Sequence, residues 1–140
     1  MIVNFEIHEN VHLHYNRRVI DLHNNFDFIS FNYDVKGREL KLTFMKSSGD
    51  WVDEEEFSSV VIVHSNVFYY AFGYDNEIYE FPQDDKSLAG ITFIASSDRE
   101  INNELYSRVK PKPGDDVLYI FETEHYIRIG CDEISLSLTS

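Results

Sequence analysis

Phe26-Asp27-Phe28-Ile29-Ser30-Phe31-Asn32-Tyr33, then Asp34-Val35-Lys36-Gly37, then Glu39-Leu40-Lys41-Leu42-Thr43-Phe44, decides the fold. The first stretch is aromatic and strand-like. The second is turn chemistry, with a glycine free to take positive φ. The third alternates strictly, so Leu40, Leu42 and Phe44 share one face and should point inward. This is a β-hairpin, and the rest of the chain reads in the same idiom.

Upstream, Val3, Phe5, Ile7, Val11, Leu13 and Tyr15 are apolar at alternate positions, and polar residues lie between them. The period is that of a strand, broken on the apolar face only at Glu9. The break lies inside His8-Glu9-Asn10-Val11-His12, which spells the H-E-x-x-H of zinc proteases. That chemistry needs a helix, which stacks residues i and i+4 on one face. A straight strand would separate His8 from His12 by ~13 Å, and a bulge or turn at Glu9-Asn10 would change that distance without making a helix. Two ligands of one zinc lie only about 3–4 Å apart. A protease site is therefore not expected. His12 and His14 share a strand face and form a better metal pair, with His8, His23, Glu6 or Asp21 as candidate third ligands. The plainer reading is a polar stripe on an edge strand.

Downstream, Arg17–Asn25 is polar, with a short strand expected around Val19-Ile20. Lys46–Asp50 is a loop, and Trp51-Val52 leads into the charge run Asp53-Glu54-Glu55-Glu56. Phe57–His64 is apolar on both faces around Val60–Val63, which suggests a central strand. Further strands are expected at 67–74, 77–81, 88–95, 117–121, 126–131 and 134–138. Ser97 and Glu100 fit a capping box, and Ile101, Leu105 and Val109 recur at i, i+4 and i+8. One short helix is therefore expected near 97–109, stopped by Pro111 and Pro113. The expected fold is mainly β: one domain over 1–140, an antiparallel sandwich or partly open barrel of about eight to nine strands.

Composition narrows function. Net charge is −13, spread as 11 acids and 6 bases in residues 1–70 and 14 and 6 in residues 71–140. Such a field repels nucleic acid and anionic membrane, so neither is an expected partner. It can steer a basic protein. The single cysteine, Cys131, forbids an intrachain disulfide and suits a reducing compartment. No signal peptide and no apolar run of membrane-span length is evident. A cytoplasmic location is the expectation.

No G-x-S-x-G, G-x-G-x-x-G or P-loop occurs, and no cofactor is assigned. Cys131 and His125 sit around an apparent strand, where a lone cysteine is usually a small buried hydrophobe. No calcium-loop pattern appears among the acids. The favoured element is Asp50, Trp51, Asp53, Glu54, Glu55 and Glu56. Clustered like charges repel unless a basic partner answers them, and tryptophan is a frequent interface anchor. The plain alternative is a solvated loop. The stripe Phe68, Tyr70, Phe72, Tyr74 could line a pocket, though such a face is more often core.

Asn24-Asn25-Phe26-Asp27-Phe28-Ile29, the hairpin to Phe44, Gly49-Asp50-Trp51-Val52 and Asn66-Val67-Phe68 together resemble immunity proteins of bacterial polymorphic toxin systems. The resemblance covers the first half of the chain and includes no catalytic motif. It implies a compact, acidic, non-enzymatic inhibitor that binds a basic toxin. The alternative expectation is a ligand- or metal-binding β-barrel that uses His12 and His14 or the aromatic face of strand 67–74.

Overall fold

The computed structural model describes residues 1–52, 54–74 and 86–140. Among these, twelve strands form three sheets. The strands are β1 (Ile2–Val3), β2 (Glu6–His8), β3 (His12–Tyr15), β4 (Arg18–Asp21), β5 (Phe26–Asp34), β6 (Glu39–Lys46), β7 (Ser59–Ser65), β8 (Tyr69–Tyr74), β9 (Leu88–Ala95), β10 (Asp115–Phe121), β11 (His125–Gly130) and β12 (Glu133–Thr139). The first sheet runs β1-β12-β7-β6-β5, the second β8-β11-β10-β9 and the third β2-β3-β4. Every pairing is antiparallel except β1 with β12. The mainly-β expectation holds, as a sandwich with open edges rather than a closed barrel.

The hairpin that decides the fold forms, but the left-handed residue of its turn is Arg38, φ 53°, and not Gly37. Leu40, Leu42 and Phe44 of β6 are buried, opposite Tyr33, Phe31 and Phe28 of β5. They join Val60 and Ile62 of β7 and Ile134 and Leu136 of β12 against Ile91, Phe93, Val117, Tyr119, Ile127 and Ile129 of the second sheet. β7 is the middle strand of its sheet, but Val61 and Val63 on its outer face are only half-buried. β10 is buried on both faces along its whole length. Its outer residues Leu118 and Ile120 form a smaller core with Ile94, Ile101 and Tyr106.

Two expectations are corrected. The alternating run 3–15 is not one strand. Glu9 and Asn10 both take left-handed φ, 52° and 60°, and fold β2 and β3 into a hairpin. Asn10 is fixed there: its Nδ2 donates to the carbonyls of Ile91 and Tyr106, and its own carbonyl accepts from Ile91 N. The helix expected near 97–109 is reduced to a 3-10 turn at Ser96–Asp98, and the only α-helical turn among the described residues is α1, Leu22–Asn25. The carbonyls of Ala95, Asp98 and Ile101 are drawn onto the guanidinium of Arg128, and Tyr106 N donates to Thr92 Oγ1. Tertiary hydrogen bonds take the place of the helical ladder, and Leu105 and Val109 stay exposed. The strand expected at 77–81 lies outside the described residues. No helix among the described residues is long and apolar enough to cross a membrane.

Candidate functional site

The acidic loop grows out of the end of β6 and is tied at its base. Lys46 N donates to Ser58 O, Ser47 N to Asn25 O, and Ser47 Oγ to Asp27 Oδ1. Asp50–Val52 make a 3-10 turn that buries Val52 and turns Trp51 outward. Trp51 is 70% exposed, yet it is held. Its Nε1 donates to the carbonyl of Asn24 at 2.6 Å. Its ring lies over Gly49, where an added Cβ would come within 2.0 Å of the ring. Only glycine leaves room for that seat.

The seat is built from α1. Asp21 caps the turn, with Oδ1 accepting from the backbone N–H groups of His23 and Asn24 and Oδ2 from Asn24 Nδ2. Burial alone would raise the Asp21 carboxyl, but the hydrogen bonds from Asn24 and the neighbouring His12 hold it below the usual carboxylate value.

The six nominated residues divide. Trp51 and Glu55 converge on Asn24 and Asn25, since Glu55 Oε2 accepts from Asn25 Nδ2 at 3.5 Å. Glu55 is otherwise used within the loop: Oε1 accepts from Phe57 N, and its carbonyl accepts from Lys46 Nζ. Glu56 pairs with Arg18, whose guanidinium lies 5.1 Å from the Phe57 ring centroid. Asp50 and Glu54 are exposed and form no ion pair with a described residue. Asp53 lies outside the described residues.

The histidines are closer together than a straight strand allows. The turn at Glu9-Asn10 places His8 opposite His12, so the ~13 Å separation of a straight strand does not apply. The rings of His8 and His14 stack with centroids 3.9 Å apart. His8 Nε2 lies 3.2 Å from Glu6 Oε1, and His12 sits between Glu9 at 3.3 Å and Asp21 at 3.4 Å. Among the described residues no group of three or more His, Cys, Asp or Glu side chains is arranged to hold a metal ion.

Strand β8 faces Tyr70 and Phe72 inward at the open side of the sandwich. Phe72 meets Phe31 at 4.3 Å and Tyr70 meets Tyr33 at 4.8 Å, centroid to centroid. Tyr70 and Phe72 nevertheless keep 45% and 42% of their surface, and Ile29 on β5 keeps 57%. Among the described residues this face is an aromatic rim, partly open to solvent.

Cys131 is buried, and burial pushes its thiol up to about 12, which leaves it no nucleophile. Two buried polar clusters escaped the sequence reading. Arg128 is fully buried, with Nε on Asp116 Oδ2 at 2.8 Å, and Arg99 donates to both oxygens of the same carboxylate. His64 donates from Nδ1 to the Leu40 carbonyl, so its Nε2 accepts from the Tyr119 hydroxyl at 2.8 Å, bridging the two main sheets. The available signal was a charged residue inside an apolar strand: Arg128 between Ile127 and Ile129, and Asp116 before Val117.

Comparison of the chain with protein-family models, with characterised proteins and with solved structures finds no match.

Proposed function

We propose that the chain is a non-enzymatic protein-binding domain that captures a basic partner, as an immunity protein captures a toxin. Trp51 is the anchor, and Asp50 and Glu54 supply the charge beside it. The supporting observation is that Trp51 is exposed yet fixed by its Nε1 bond and its seat over Gly49. An anchor held in place before contact loses little side-chain freedom on binding. Asp50 and Glu54 keep their charge for a partner, and the net charge of −13 steers a basic surface toward them. Glu55 and Glu56 serve the loop itself. One buried cysteine suits a reducing, cytoplasmic setting.

The test is affinity for the product of the neighbouring reading frame, purified and titrated at several salt concentrations. Trp51→Ala should weaken binding at least tenfold. Asp50→Lys with Glu54→Lys should weaken it and flatten the salt dependence. Binding that is unchanged in both variants moves the interface elsewhere.

A second reading is favoured by the aromatic rim, because apolar patches left open on a soluble surface commonly mark binding sites. It places a flat apolar ligand against Phe31, Tyr70 and Phe72. Saturable changes in tyrosine fluorescence, lost in Phe72→Ser, would support it.

A further inference from the structure

A cleft of about 370 Å³ opens beside the third sheet, lined by Phe5, Glu6, His14, Asn16, Arg17 and Lys110 among others. It carries cationic groups in a chain of charge −13. The chain has six arginines, and five are engaged. Arg18 pairs with Glu56, Arg38 donates to the Val67 carbonyl, Arg99 and Arg128 share Asp116, and Arg108 grips Asp115. Arg17 is the one with no acceptor among the described residues.

Its backbone sharpens the point. Asn16 and Arg17 are the two central residues of the β3–β4 hairpin, with φ of 52° and 66°. Such turns favour Asn-Gly, and a side chain in the left-handed region costs roughly 1–2 kcal/mol. Arg17 occupies the glycine position, is exposed and lines the cleft.

Glu6 is the carboxylate lining the cleft, and it is already in contact with His8 and Lys110. One Glu6 oxygen lies 3.2 Å from His8 Nε2 and the other 3.4 Å from Lys110 Nζ, and these contacts hold its carboxyl below the usual value. Across the cleft Arg17 and Lys110 outnumber Glu6, and His14 adds a ring nitrogen. Phe5 and Val3 supply an apolar wall. The volume suits a small molecule, and a guanidinium fork matches a planar or tetrahedral oxyanion.

We propose that this cleft binds a small oxyanion, a carboxylate or phosphoryl group on a compact apolar body, with Arg17 as the fork and Lys110 as the second cation. The site is separate from the Trp51 loop and stands without the partner reading.

The experiment titrates the full chain with inorganic phosphate and, separately, with benzoate at constant ionic strength, followed by amide and imidazole NMR signals. Saturable shifts at Asn16, Arg17, His14 and Lys110 are expected with at least one anion. The anion that binds identifies the group: phosphate a phosphoryl site, benzoate a carboxylate site. Arg17→Ala should weaken binding at least tenfold, and Arg17→Gly should do the same while raising Tm, because it relieves the turn. Arg18→Ala should leave binding within twofold. Absence of saturable shifts with both anions, or equal binding in Arg17→Ala, overturns the proposal.

Discussion

Two irregular segments, 96–114 and 47–58, solve the same problem in opposite ways. Each carries backbone polar groups that must find partners once the chain leaves a strand. Segment 96–114 finds them inside the protein. Arg128, on the outer face of the second sheet, donates to Asp98 O, Ile101 O, Ala95 O and Asn102 Oδ1 while its Nε holds Asp116. Arg108 grips both oxygens of Asp115 at the far end. A loop pinned this way becomes a wall of the core. The loop from Ser47 is tied at its base and by the Val52 plug, and Asp50, Trp51 and Glu54 face outward. The difference teaches that irregular backbone is not itself a sign of a binding surface. What matters is where its polar groups are satisfied.

The largest test of the contrast is Arg128→Met. It leaves the Asp116 charge in the interior with Arg99 alone, and it strips several carbonyls of their donor. Breaking a buried ion pair costs about 3–5 kcal/mol. Denaturant unfolding should show a loss of that order, and amide exchange in 96–109 should rise first. Stability near wild type would mean that the segment is held by its apolar contacts, and the contrast would fall.

Acid provides the next test, because it acts on a histidine of the interior. His64 is fully buried and neutral, and burial pushes it down to about 4 despite its bond to the Leu40 carbonyl. Its unfolded value is near 6.5. Below 6.5 the unfolded chain takes the proton and the folded chain refuses it until pH nears 4. The stability it contributes is therefore complete above pH 6.5 and is lost between 6.5 and 4, at about 1.4 kcal/mol per pH unit. His64→Gln should flatten urea midpoints across that window. An unchanged slope would assign the acid sensitivity to other groups.

The smallest effects belong to the outer loop. Gly49→Ala places a methyl group where the Trp51 ring lies. The ring must move, so Trp51 fluorescence should change while unfolding shifts by about 1 kcal/mol or less. Trp51→Ala should change stability by less than that, because the side chain is mostly in solvent. A large loss of stability in Trp51→Ala would make this loop structural and sharpen the contrast in the wrong direction for the proposed function.

The sequence was most legible where structure is local. Leu40, Leu42 and Phe44 alternate, and the hairpin follows, although its left-handed turn residue is Arg38 and not Gly37. Ser97, Glu100, Ile101, Leu105 and Val109 carry equally local helix signals, yet the segment is not helical. The deciding residue, Arg128, is about thirty positions away and wins because a buried guanidinium must be satisfied. The β2–β3 turn was marked only by the break in alternation at Glu9, since Glu9 and Asn10 lack glycine, and what stabilises it is the contact of Asn10 with Ile91 and Tyr106. The same limit divides the acidic run. Spacing picked out Asp50 to Glu56, but it could not show that Asn25 and Arg18 claim Glu55 and Glu56 and leave Asp50 and Glu54 outward.

Cys131 gives this architecture a clock. Its thiol is buried behind the sheets and protonated at any ordinary pH, so a thiol reagent meets it only in moments when the sandwich parts. The rate of its labelling counts those openings in the unmodified chain, with no introduced probe. Measured in the Arg128, His64 and Trp51 variants, that rate would rank how firmly each region holds the two faces together.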